Sequence, residues 1–314
     1  MSFKRQISPK QAAQALDVSE ASVKRWCDRG LLVPTLTAGG HRRIAVAEVL
    51  RFVRSRGADL VKPEVLGLPS TTGGGDLAFE RAADVAAEAF CEGDDDCVRK
   101  LFLNLYLGGR TIAEIADLVV APSFAKIGDR WIHGQVSIHQ ERRAIELCQQ
   151  AMYSLDSALP SPSPRAPLAI GGVLEGDPYV LGSKWCATAL HEAGWRAESY
   201  GNGLPPAELA AAIGRRRPKL VWLSVSSRTT DLQELRNSLA IIREAADEAG
   251  AVLVCGGPGL GAEAEELVAP ARHCGDLRQM VALATGVLGM QPAVVDSKPK
   301  TAGRRRKAVS RAAR

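Results

Sequence analysis

The chain has 314 residues, 46% hydrophobic and 24% charged, which is the composition of folded protein and enough for about two or three domains. No stretch approaches about 18 uncharged apolar residues, so a spanning helix is excluded, and Met1-Ser2-Phe3-Lys4-Arg5 runs into polar sequence without a signal peptide. The net charge of +5 is uneven: residues 1–56 hold 11 Lys/Arg against 4 Asp/Glu, residues 297–314 hold 8 Lys/Arg and no acid, and residues 57–296 sum to −10, so the two ends are expected to meet a polyanion and the body is not.

Ser8-Pro9-Lys10-Gln11 predicts a helix start, with Ser as cap, Pro at the first helical position and Gln reaching back, and Ala12, Ala13 and Leu16 form that helix's apolar face. A second helix starts at Ser19, turns Val23 and Trp26 inward and stops at Gly30. Leu31–Val33 and Arg43–Ala45 are expected to pair as strands around the Ala38-Gly39-Gly40 turn, and residues 46–56 to form a third helix through Val46, Val49, Leu50 and Val53. This first module spans 1–57, and the Gly-, Pro-, Ser- and Thr-rich stretch 58–76 reads as a flexible joint.

Residues 77–157 read as four helices, with capping boxes at Thr111–Glu114 and Ser137–Gln140 and with Pro122 separating two helices, which predicts a four-helix bundle. A second joint, 158–166, carries three prolines. From 167 to 290 strands alternate with helices: apolar runs at 168–173, 220–225 and 251–255 read as buried parallel strands, and helices fall at 182–194, 206–215 and 231–249. That is a Rossmann-like, doubly wound α/β domain, whose ligands bind outside the carboxyl ends of the strands. Residues 291–314 read as a basic, disordered tail. The seven cysteines are scattered and never spaced C-x-x-C, which argues against a disulfide framework or zinc site and for a reduced, cytoplasmic setting.

In a helix-turn-helix of this layout, Ser19, Glu20, Ser22, Lys24 and Arg25 lie at the start or outer side of the second helix and face a major groove, where Lys and Arg meet guanine edges. The hairpin tip projects Thr37, His41, Arg42 and Arg43 toward phosphate or the minor groove. The segment SPKQAAQALDVSEASVKRWCDRGLL, followed by Thr37-Ala38-Gly39-Gly40-His41-Arg42-Arg43-Ile44, resembles the winged-helix DNA-binding domain of MerR-type regulators. Ile44 stands where an aromatic residue is common, a departure that affects packing more than DNA contact. The resemblance implies double-stranded operator DNA as partner and a working unit of at least a dimer, because such modules read two half-sites.

The order of domains resembles the CarH/LitR group, cobalamin-dependent photoreceptor repressors, over nearly the whole chain to about residue 290. In that group the bundle caps the upper face of the corrin and the Rossmann-like domain holds the lower face. Its α/β domain opens with Asp-x-His-x-x-Gly, the His lying below cobalt; here Asp177, Leu181 and Gly182 keep the frame and position 179 is Tyr. A phenol gives up its proton only near about pH 10, so it is a poor substitute for a neutral imidazole. Tyr179 is expected to fill the imidazole's space and to hydrogen-bond Asp177, which has no imidazole left to orient. The group's bundle carries a Trp, nine residues and then Glu-His; Trp131 and Glu141 are present, and position 142 is Arg. Both imidazoles that touch cobalt in the group are therefore missing. Ser224-Val225-Ser226 ends a strand where cobalamin domains place a Ser near the nucleotide tail, and Gly256-Gly257 lets backbone approach a ligand. His139, on the face of Arg142, completes the candidate effector pocket.

Three readings of this half stand open. It binds no cobalamin and represses constitutively or answers to a partner such as an antirepressor protein; or it holds adenosylcobalamin by corrin and tail contacts without protein ligation of cobalt; or it takes another flat chromophore or apolar molecule. A rival of another class is a cobalamin carrier of a methyltransferase, which uses the same bundle and α/β pair but not a DNA-binding module. No Ser-His-Asp, Cys-His or metal-ligand spacing stands out. The expectation is a non-enzymatic transcriptional repressor, a dimer or tetramer, away from membranes.

Overall fold

The computed structural model describes residues 5–68, 72, 79–227, 232–261 and 264–289; the basic tail at 291–314 and most of 69–78 lie outside them. A short strand, β1 (Gln6–Ile7), leads into α1 (Pro9–Ala15). The Ser8 hydroxyl accepts from Gln11 N at 3.2 Å and Gln11 Oε1 accepts from Ser8 N at 2.9 Å, closing the capping box. Asp17, at φ 52°, turns the chain, and Ser19 caps α2 (Glu20–Asp28).

The wing departs from the sequence reading. Leu31–Val33 is not a strand: Leu31 N and Leu32 N both return to Trp26 O, Leu32 is fully buried, and Val33 N donates to the Glu48 carboxylate. These bonds finish the helix end, and pairing starts only at β2 (Pro34–Leu36), which meets β3 (Arg42–Ala45) from Pro34↔Ile44 to Leu36↔Arg42. β1 pairs on the other side of β3, and α3 (Val46–Arg56) buries Val49, Leu50 and Val53 beneath the sheet. Residues 58–68 are part of this module and not a free joint. Val61 N and Lys62 N donate to Ala15 O, and a 3-10 turn at Pro63–Leu66 covers Pro63, Leu66 and Leu68, because these apolar side chains find shelter against α1.

Four helical runs follow: α4 (Phe79–Glu92), α5 (Asp95–Leu107), then α6 (Ile112–Ile115) continuing through a π turn at Ala116–Val120 into α7 (Ala121–Ile132), and α8 (Ile138–Asp156). Pro122 lies inside the third run and does not separate helices. Proline lacks an N–H and its ring crowds the carbonyl four residues back; the wider π turn just before it absorbs both faults.

The remaining chain alternates as β4 (Leu168–Gly172), α9 (Leu181–Glu192), β5 (Arg196–Ser199), α10 (Pro206–Arg216), β6 (Leu220–Ser224), α11 (Leu232–Ala249), β7 (Val252–Gly256), α12 (Ala264–Val268), β8 (Arg272–Cys274) and α13 (Leu277–Val287). The five strands are all parallel in the order β5-β4-β6-β7-β8. Leu168, Ile170, Val221, Leu223 and Leu253 face α10 and α11; Ala169, Trp222 and Val254 face α9 and α13. The π turn aims Asp117 at this domain, where its carboxylate accepts from Leu277 N at 3.1 Å and Arg278 N at 3.0 Å and so caps α13. Trp185 of α9 lies edge-on to Phe102 of α5 at 5.7 Å, and both belong to one buried cluster that also runs through the winged module. Among the described residues no helix is long and apolar enough to cross a membrane.

The 158–166 joint is anchored at its start, with Ala158 and Leu159 buried. His191 of α9 holds both flanks: Nδ1 is 2.8 Å from Asp156 Oδ1 and Nε2 is 3.1 Å from Pro160 O. Only the imidazolium donates from both nitrogens. The Asp156 hydrogen bond pushes the His191 pKa up, against the opposing effect of burial. A raised folded-state pKa means that this contribution is complete below the unfolded value, about 6.5, and disappears as pH rises through the folded value. The melting temperature is therefore expected to lose this increment as the pH rises above about 6.5. His191→Gln should remove that part of the slope, and identical slopes in the two proteins would contradict the assignment.

Candidate functional site

Two regions carry the polar residues singled out above. In the winged module, the Ser19 hydroxyl sits 3.2 Å from Ser22 N and 2.9 Å from Ser22 Oγ, which in turn accepts from Arg25 Nη2 at 3.3 Å. Lys24 pairs with Glu20 at 2.9 Å along the exposed side of α2. Arg42 does not project from the wing: its Nη2 meets Asp28 Oδ1 at 2.7 Å and its Nη1 donates to Lys24 O at 3.3 Å, which ties the wing to α2. Thr37 and His41 close the tip, Thr37 N donating to His41 O and His41 N to Thr37 Oγ1. Ser19, Lys24, Arg25, Thr37 and His41 are exposed, and Ser22, Arg42 and Arg43 half-buried, on one surface made by α2 and the wing. Asp28, which sets the direction of Arg42, is not recognisable from the sequence because its partner is 14 residues away.

The second region follows from the strand order. β4 has a neighbour on each side, and the connections from β4 and β6 leave toward opposite edges, which opens a crevice at their carboxyl ends. Asp177, in the loop after β4 and only 7% exposed, spans it. Its carboxylate accepts from Tyr179 N at 3.0 Å, Ser226 N at 2.6 Å and Ser227 N at 2.9 Å. The bond between Tyr179 and Asp177 is thus made by the tyrosine's backbone N–H, while the phenol-bearing side chain stays 44% exposed.

The glycines here serve packing. A Cβ on Gly182 would lie 2.8 Å from Ser224 Oγ, and one on Gly256 would lie 2.6 Å from Cys274 O. Gly257 combines φ 119° with the Val225 carbonyl 2.3 Å from where a Cβ would stand, so only glycine fits. Ser224 and Ser226 hydroxyls lie 3.5 Å apart beside them. Sequence reasoning missed Trp222, whose indole covers Gly171 and donates to Ser183 Oγ at 3.0 Å, filling the space between the sheet and α9.

The bundle residues reach the same end by helix direction. Gln149 bonds Lys184 and Asp156 bonds His191 with the same spacing of 35 residues, so α8 and α9 run parallel. Glu141 and Arg142, in the first turn of α8, therefore lie about 6–8 Å past the start of α9, on the side of the crevice. His139 is at that turn with Nδ1 3.0 Å from the Ser137 hydroxyl, and Trp131, at the end of α7, is 47% exposed.

The chain thus joins a winged helix-turn-helix module and a helical bundle to an α/β domain of flavodoxin strand order. Residues 7–57 match the helix-turn-helix domain family and residues 167–279 the B12 binding domain family. Over 257 residues the chain is 26% identical to the HTH-type transcriptional repressor CarH of Myxococcus xanthus, across 74% of this chain and 83% of that protein. It is CarH-like in its domains and their order. The monomethylamine corrinoid protein of Methanosarcina barkeri superposes with a TM-score of 0.56 at 17% identity, covering 67% of this chain and all of that one, which is a likeness of fold.

The residues present do not fit cobalamin ligated by an imidazole. The chain's five histidines lie in the wing, at the α7–α8 turn, at the α8–α9 seam and in β8, and none lies in the Asp177 loop. The Asp177 carboxylate, which would orient such a ring, is committed to three backbone N–H groups, and Trp222 fills the space between the sheet and α9. Asp177→Ala should strand those three donors and cost about 2–4 kcal/mol of stability. Thermal or urea unfolding checks this; a loss under about 0.5 kcal/mol, the range of ordinary surface changes, would show that the carboxylate does not hold the crevice together.

Proposed function

We propose that this chain is a transcriptional repressor that binds operator DNA as at least a dimer, and that its effector half is not switched by imidazole-ligated cobalamin photochemistry. The observation that carries the first part is the surface of α2 and the wing, where Lys24, Arg25 and His41 stand exposed on a module of net charge +7. Lys24 and Arg25 serve base readout from α2; Arg43, Thr37 and Ser19 serve phosphate contact; Arg42 holds the wing at its angle. The likeness to CarH, a repressor by name, supports repression.

The second part rests on Tyr179 and Arg142 standing where two imidazoles are required. A guanidinium has no lone pair to give to cobalt, and the tyrosine side chain offers no neutral ring nitrogen. Catalysis is no part of this reading. The crevice carboxylate is committed to backbone, and burial pushes the thiols of Cys148, Cys186 and Cys255 up to about 12, far from a working thiolate. Action on an operator places the protein in the cytoplasm.

Titration of the full chain against DNA upstream of its own gene should show affinity that falls steeply with salt. Arg43→Ala should weaken all duplexes alike, while Lys24→Ala or Arg25→Ala should cost about 1–3 kcal/mol and relax sequence preference. Equal binding to operator and scrambled duplex would overturn the reading.

Incubation with adenosylcobalamin should leave DNA binding the same in the dark and after green light. Light-induced release accompanied by a bis-imidazole cobalt spectrum would show that other histidines, such as His139, supply the ligands.

A further inference from the structure

Four segments meet at the C-terminal end of α9, three of them joined by one carboxylate. Glu192 Oε1 accepts from Arg54 Nη1 of α3 at 2.5 Å, and Glu192 Oε2 accepts from Ile112 N, at the start of α6, at 2.7 Å. That amide is one of those a helix start leaves without an internal partner. The Arg54 guanidinium also lies 4.1 Å from the centre of the Tyr106 ring on α5. Arg54 and Glu192 are 16% and 17% exposed and Tyr106 is buried, so the junction is withdrawn from water. Burial pushes the Glu192 carboxyl up, while Arg54 and the Ile112 N–H hold it down.

The other end of the same helix is locked into the crevice. Gly182 has no room for a Cβ against Ser224, and the Ser183 hydroxyl receives Trp222 Nε1 and meets Ser199 Oγ at 3.1 Å. The loop entering α9 is held by Asp177. Between the ends, Trp185 packs on Phe102 and Lys184 donates to Gln149. At 1.5 Å per residue, α9 is a rod about 18 Å long, gripped throughout, and a close-packed rod moves as a unit.

We propose that α9 couples the crevice to the DNA-reading module, with Arg54 and Glu192 as the latch: whatever draws Asp177 away from Ser226 and Ser227 shifts the helix and frees the module. This rests on the reading of residues 5–57 as the part that reads DNA. It makes the Arg54–Glu192 pair a positioning element, remote from any ligand, and α9 the two-state element that both sites bias.

The test uses the full chain with spin labels at Arg29→Cys and Glu208→Cys, both exposed positions, and with Cys91 and Cys97 changed to serine. The parent should show one narrow distance between the winged module and α10. Glu192→Gln keeps an acceptor for Ile112 N, removes the charge facing Arg54, and should broaden that distance. Asp177→Asn, at the far end of α9, should broaden it in the same way. If Asp177→Asn does not fold, Ser183→Ala, which removes the acceptor for Trp222 and the contact with Ser199, is measured in its place. A parent-like distance in the crevice-end variant overturns the coupling. In DNA titrations the two single variants should each change Kd by at least about fivefold and the double variant by no more than either alone; multiplying effects would also overturn it. Should the parent bind no duplex, the reading of residues 5–57 fails, and the distance measurement still decides the coupling.

Discussion

A carboxylate taken out of water has to be met by donors, and Asp177 and Glu192 impose that requirement at the two ends of α9. Asp177 meets it with three backbone N–H groups from the loops after β4 and β6, which shapes the strand-end crevice. Glu192 meets it with a guanidinium from the winged module and a helix-start amide from the bundle, which sets where the three parts of the chain stand. Neither group tolerates the loss of its partners cheaply, so the loops, the helix and the domain seams are mutually constrained.

The seam between bundle and α/β domain uses the same logic a third time. The π turn that accommodates Pro122 also exposes Asp117 to the start of α13, where it accepts from Leu277 N and Arg278 N and pairs with the Arg278 side chain. Burial pushes the Asp117 carboxyl up, and the two backbone N–H groups oppose this. A local irregularity that a proline demands has become the point of attachment for another domain.

Tyr179 and Arg142 lie at the same end of the molecule because α8 and α9 run parallel, and neither offers a neutral nitrogen. Trp131 and Tyr179 remain about half exposed there, while the carboxylate beside them is fully engaged. The fold of a B12-binding-type domain is thus retained with a donor set that suits backbone closure better than metal ligation.

Much of this architecture was legible in the chain of letters, because it depends on neighbours a few residues apart. The capping boxes at Ser8, Thr111 and Ser137, the cap at Ser19 and the apolar runs of β4, β6 and β7 are short-range patterns, and the structure keeps them. The strands β5 and β8, written Arg-Ala-Glu-Ser and Arg-His-Cys, carry no apolar run because edge strands are half exposed, and only the sheet reveals them. The true start of β2, the burial of Pro63, Leu66 and Leu68 and the continuous helix through Pro122 were settled by packing partners far along the chain. Asp177 was noticed as one letter of a motif, yet its three donors, the turning of Arg42 onto Asp28 and the meeting of Arg54 with Glu192 across 138 residues are choices of the tertiary structure. Periodicity and capping are local properties that a sequence states outright, whereas the partner of a buried charge is whatever the completed fold brings within hydrogen-bonding distance.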